Sequence, residues 1–168
     1  RKRIEESERK FSTIFNSAPI LITVTKVETG EILDVNSKFL ELTGHNREDI
    51  IGKTTAGIGW VLTEDRSQII SLLASGGRAI HNIEFTAFKK NREKMQCLLN
   101  AEIIEIGSVE CLLSIAMDIS DRKKSEQALQ DSEIRYKAIV QDQTDLVCRF
   151  TADGNFTFVN DVYCRFMG

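Results

Sequence analysis

Residues 20–44 read ILITVTKVETGEILDVNSKFLELTG, and the order of elements in this stretch decides the fold. Residues 20–27 alternate in the manner of a β-strand and are rich in β-branched side chains. Glu28-Thr29-Gly30-Glu31 supplies a turn in which Gly30 can take positive φ, and residues 32–35 follow as a second strand, so the spacing predicts a hairpin. Asn36 or Ser37 can cap a short helix carrying Phe39, Leu40 and Leu42, which Gly44 ends. Further on, residues 46–49 open another helical turn that stops at Gly52, and residues 54–60 form a Gly-containing connection. An amphipathic helix then starts at Thr63 or Asp65, turns Ile69, Ile70, Leu72 and Leu73 inward, and ends at Gly76-Gly77. Three longer β-type runs, 80–89, 94–106 and 109–119, are joined by Lys90-Asn91-Arg92 and Gly107-Ser108, as expected of an antiparallel meander. Two strands, several short helices and three strands predict an α+β fold: one five-stranded antiparallel sheet with short helices on one face, flanked by amphipathic helices.

The flanks are matched. Residues 1–17 place Ile4, Phe11, Ile14 and Phe15 among charged neighbours and end before Pro19, the only proline, which predicts an amphipathic helix. Residues 120–140 turn strongly polar and helix-favouring, with Ala128, Leu129, Tyr136, Ile139 and Val140 as the apolar positions. Leu129 and Tyr136 are seven apart, as are Ile4 and Phe11, the spacing of a coiled-coil seam. Two heptads leave two readings open: parallel homodimerisation through both helices, or charged, solvated helices resting on their own sheets.

The match extends to an internal repeat. Ser7-Glu8, Phe11 and Ile14 return 125 positions later as Ser132-Glu133, Tyr136 and Ile139. Gly30, Val35, Asn36, Phe39 and Gly44 return 124 positions later as Gly154, Val159, Asn160, Tyr163 and Gly168, one deletion accounting for the difference. A period this long fits a tandem array of whole domains rather than a solenoid. The expected organisation is an N-terminal amphipathic helix over 1–17, a complete domain over 18–120, a helical linker over 121–140, and the truncated start of a second copy over 141–168. Strands in that last segment would have no sheet to join unless they paired with a neighbour. The absence of an initiating Met and the end at Gly168 read as the edges of a piece of a longer chain.

With 42% hydrophobic and 28% charged residues, the 168-residue chain has the composition of an ordinary globular protein. A formal net charge of −3 with no concentrated basic face gives no footprint for nucleic acid or for an anionic membrane surface, and neither is expected as a partner. No apolar run is long enough to span a bilayer and the charged opening is no signal peptide, so a cytoplasmic location is expected, in a parent protein that could be membrane-anchored elsewhere. Cys97, Cys111, Cys148 and Cys164 stand far apart and read as reduced thiols. His45 and His81 have no second ligand at metal spacing, and no nucleophile motif or phosphate-binding loop is present, so neither a metal site nor catalysis is expected.

Between sheet and helices lies either a filled core or a small pocket. Its candidate lining is Ile22, Val24, Phe39, Leu42, Trp60, Ile69, Leu73, Phe85, Leu98 and Ile115, with Asn36 as the hydrogen-bonding candidate or simply a helix cap. Strand alternation puts Ile22 with Val24 on one face but leaves open which face is inward.

Several segments in order resemble the PAS domain family, sensory modules found in tandem upstream of signalling enzymes such as histidine kinases and diguanylate cyclases. They are FSTIFNSAP (11–19), GEILDVNSKFLELTG (30–44), Ile51-Gly52, Trp60, Asp65-Arg66 and the closing Met117-Asp118-Ile119-Ser120-Asp121-Arg122-Lys123. Residues 132–168 resemble the start of a second such domain. The resemblance implies the sensor of a bacterial or archaeal signalling protein such as a histidine kinase, relaying a small-molecule or conformational signal through its flanking helices to an effector in the same chain. The alternative is a ligand-free dimerisation spacer in a tandem array. It further implies that Asp118 and Arg122 couple the domain to its output helix; the alternative reading is a simple helix cap by Asp118 or Ser120. Residues 54–73 lack the cysteine that flavin-adduct members carry and the histidine that haem-binding members carry, so neither cofactor is expected and the ligand is left unnamed.

Overall fold

The computed structural model describes residues 2–142 and 145–167, with side chains from residue 6 to 140 and from 145 to 167. Two compact units divide the chain, 1–121 and 122–168.

In the first unit, α1 (Lys2–Ser17) precedes β1 (Leu21–Lys26) and β2 (Ile32–Val35), then α2 (Ser37–Thr43), α3 (Arg47–Ile50) and α4 (Thr63–Gly76). Strands β3 (Ala79–Phe88), β4 (Lys94–Ile106) and β5 (Val109–Asp118) complete it. The sheet has the order β2-β1-β5-β4-β3, antiparallel throughout, so the two N-terminal strands join the meander along β5. The expected α+β fold is thus present, with β5 at the centre.

Registers fix the two faces. Leu21 stands opposite Ala116, Thr23 opposite Ser114 and Thr25 opposite Leu112, while Leu99 and Ala101 meet Ala116 and Ser114 from the other side. Opposed residues share a face, and this one packs against the helices. Phe39 of α2 is wholly buried and, with Trp60, Leu21, Ile32, Val35 and Met95, forms one core cluster; Ile69 and Leu73 of α4 join Ile80, Leu99 and Leu112 in a second. The predicted inward set on α4 is corrected at Leu72, which is 43% exposed, because Ile69 and Leu73, with Ile70 packed beside them, form the stripe that meets the sheet.

Asn36 ties these elements together. Its Oδ1 accepts from the N–H of Ile22 and of Phe39 (3.0 and 3.1 Å), and its Nδ2 donates to the Ile20 carbonyl (2.8 Å). One side chain therefore caps α2 and fixes both the entry of β1 and the exit of β2. Gly44 ends α2 at φ 75°, donating its N–H to Leu40 O, a conformation that other residues adopt only at a cost.

The second unit contains most of α5 (Ser120–Asp142), followed by β6 (Cys148–Phe150), β7 (Phe156–Val159) and α6 (Asp161–Met167). The two short strands pair with each other, which corrects the expectation that they would find no partner within the chain. Their local geometry repeats that of β1 and β2. Asn160 Oδ1 accepts from the N–H of Val147 and of Tyr163 (3.1 and 3.0 Å), and Nδ2 donates to the Asp145 carbonyl (2.9 Å). The irregularity between Val24 and Thr25 in the first hairpin recurs between Arg149 and Phe150. The deleted residue falls in the turn: Lys26 and Gly30 bracket three residues, Thr151 and Gly154 two, and in both turns the glycine N–H donates to the carbonyl of the first residue at 2.9 Å. Among the described residues no helix is long and apolar enough to cross a membrane.

Candidate functional site

Alternation along β1, β4 and β5 brings Leu21, Thr23, Thr25, Leu99, Leu112, Ser114 and Ala116 to the inner sheet face, over a cavity of about 50 Å³. Phe39 from α2, Thr55, Trp60 and Val61 from the connection before α4, Arg66 and Ile69 from α4, and Phe85 from β3 close it. The Trp60 ring meets Phe39 edge-on at 5.0 Å and Phe85 at 6.4 Å, so three aromatics build one apolar wall. The polar residues of the lining are Thr23, Thr25, Thr55, Ser114 and Arg66. Thr23, Thr25 and Thr55 are buried, and Arg66 is half-buried against the β1–β2 turn, where a Cβ added to Gly30 would come within 2.5 Å of its Nε and Nη2. Burial pulls the pKa of Arg66 down.

Of the expected lining, Phe39, Trp60, Ile69 and Phe85 are brought together at the cavity. Leu73 lies in the adjacent core cluster and Leu42 packs on the core from outside it. Ile22, Val24, Leu98 and Ile115 require correction: Ile22 opposes Ile115, and Leu98 opposes Met117, on the other face of the sheet, and Val24 shares that face. Apolarity favoured Ile22 and Val24, whereas two of the three inner-face residues of β1, Thr23 and Thr25, are threonines. A signal was present in β4, where Leu98 stands between Gln96 and Asn100 while Met95, Cys97, Leu99 and Ala101 form the unbroken small and apolar set. Asn36 is a buried brace and cap rather than part of the lining. Arg66, Thr23, Thr25, Thr55 and Ser114 were not expected at a site.

At the end of β5, Asp118 Oδ1 accepts the Ser120 N–H (2.9 Å) and Ser120 Oγ accepts the Gln96 N–H (3.0 Å), so the first residue of α5 is held by two strands of the sheet. Arg122 Nε donates to Glu126 Oε1 (2.7 Å), and that hydrogen bond holds the Glu126 carboxyl below its usual range. Cys97, opposite Asp118, has its thiol pushed up to about 12, by burial first and by the Asp118 charge second. Phe11, Leu129 and Tyr136 are exposed on their helices, and the side chain of Ile4 lies outside the described residues. His45 is buried away from the cavity with its Nε2 unpartnered; desolvation and then Lys90 lower its pKa, against an opposing effect of Asp49. Among the described residues no cluster of three potential metal ligands occurs.

Residues 18–121 match the PAS domain family. The chain belongs to that family. The PAS domain is similar to the methyl sulfide methyltransferase-associated sensor of Methanosarcina acetivorans, 27% identical over 142 residues that make up 82% of this chain and 14% of that protein. It is also similar to the two-component sensor PprA of Pseudomonas aeruginosa, 22% identical over 175 residues, 96% of this chain and 18% of that protein. The chain therefore spans a small part of the length of either. The PAS domain of an HTR-like protein from Haloarcula marismortui superposes with a TM-score of 0.61 at 20% identity, over 70% of this chain and 96% of that one, which shows the shared fold.

Proposed function

We propose that this PAS domain is the non-catalytic sensor of a longer signalling protein, a histidine kinase as the two-component relative suggests, and relays the state of its cavity through α5 to the effector. One observation carries the reading: Leu112, Ser114 and Ala116 line the cavity from β5, and the same strand runs directly into α5 through the Asp118 cap. A change in cavity contents bears on the strand that begins the output helix, with no loop to absorb it. Residues 141–168 are the beginning of a second PAS domain, an assignment supported by the repeated Asn brace and hairpin irregularity. The exposed Phe11, Leu129 and Tyr136 fit a parallel homodimer. The acidic balance favours neither nucleic acid nor membrane as a partner. The small cavity favours a second reading, a ligand-free spacer that dimerises without sensing.

The test is Asp118→Ala in the full-length protein. The substitution removes one cap hydrogen bond, worth about 1 kcal/mol, so the domain stays folded. Stimulus-dependent effector output is expected to be lost while circular dichroism is unchanged. Output that responds as in wild type would refute the coupling role of this junction.

A further inference from the structure

Arg66 is the one charged residue on the cavity lining, and among the described residues nothing answers it. No acidic side chain lines the cavity with it, and among the described residues its guanidinium forms no ion pair and no hydrogen bond. The neighbouring carboxylate in sequence space of the turn, Glu31, is taken by Lys26 at 2.6 Å. A half-buried cation without a partner is costly, because burial removes water without returning a counter-charge. Thr23, Thr25, Thr55 and Ser114 add four hydroxyls, none with a side-chain hydrogen bond to another described residue. The lining thus offers one planar two-pronged donor, several neutral donors and an apolar wall of Phe39, Trp60 and Phe85.

We propose that the cavity binds a short aliphatic carboxylate, its charge on Arg66 and the threonine hydroxyls and its carbon tail against Trp60 and Phe85. A guanidinium matches a carboxylate bidentately, which supplies direction as well as charge. Volume sets the length. At roughly 10–15 Å³ for each water-sized atom, a cavity of about 50 Å³ takes about three to five heavy atoms, the size of acetate or propionate. A flavin, a haem or a dicarboxylate with a long spacer does not fit that space. Gly30 is part of the site by virtue of what it lacks, since a side chain there would displace the guanidinium.

This inference rests on the sensing role proposed for the cavity, and its test is independent of signalling output. Titration of the isotope-labelled chain with propionate, followed by amide chemical shifts, is expected to give saturable shifts centred on Thr23, Gly30 and Ser114. Propionamide, the neutral isostere, should bind at least tenfold more weakly. Arg66→Gln should abolish the saturable response with the spectrum still dispersed, and Arg66→Lys should retain part of it. Equal binding of acid and amide, unchanged binding by Arg66→Gln, or shifts confined to surface lysines would overturn the proposal. So would sulfate or phosphate binding as well as propionate, since the site would then read any oxyanion. Loss of carboxylate binding alongside an intact Asp118→Ala effect would remove the ligand class and leave the sensing role standing.

Discussion

Asn36 makes three hydrogen bonds to backbone groups of two separate segments, the entry of β1 and the first turn of α2, and nothing but an amide of this length can make them. Asn36→Ala leaves two N–H groups and one carbonyl of a fully buried site without partners, and the expected loss is about 2–4 kcal/mol. Urea unfolding should show it as a lower midpoint at unchanged slope; a loss below about 0.5 kcal/mol would mean the site is not the brace described. The cap half of this role was legible in the sequence, because Asn ahead of an apolar helical repeat is a cap signal. The brace half was not, since the bonds to Ile20 and Ile22 span sixteen and fourteen residues and leave no local trace. Arg66 was hidden for a related reason. On an amphipathic helix an arginine reads as a solvated residue, and only the approach of the Gly30 turn shows that it is covered.

At the level of elements, all five strands of the sheet and the four helices before β3 were legible, because period-2 and period-3.6 patterns alternate with glycine at the boundaries. The facing of β1 was not. A strand with Ile22 and Val24 on one side and Leu21, Thr23 and Thr25 on the other carries nearly balanced hydrophobicity, and its register with β5 decides the matter. The outcome is informative: threonines face the cavity, which is what a polar ligand requires and a filled core does not. The seam of α5 makes its own prediction. Leu129 and Tyr136 are 64% and 57% exposed, so the chain is expected to sediment as a dimer at concentrations on the order of tens of micromolar. Leu129→Asp places a charge in the seam and should raise the dissociation constant at least about tenfold. A wild-type monomer at those concentrations would contradict a dimer built on this helix.

Over the whole molecule, the order β2-β1-β5-β4-β3 turns a sequence of ordinary elements into a signalling geometry. It places at the centre of the sheet the strand that ends the domain, so the residues over the cavity and the root of the output helix are one continuous stretch of backbone. Nothing in the local patterns announced this, because closing a sheet by joining its first and last strands is a long-range choice. The hairpin of β6 and β7 repeats the local instructions of β1 and β2. The account stands on the claim that a change at the cavity wall of β5 reaches the first turn of α5. Ser114→Val fills part of the cavity from β5 without touching the Asp118 cap, and amide hydrogen exchange reads the consequence residue by residue. Altered protection at residues 119–126, with global stability equal to or above wild type, is the predicted result; changes confined to the cavity lining, with the first turns of α5 exchanging as before, would contradict it.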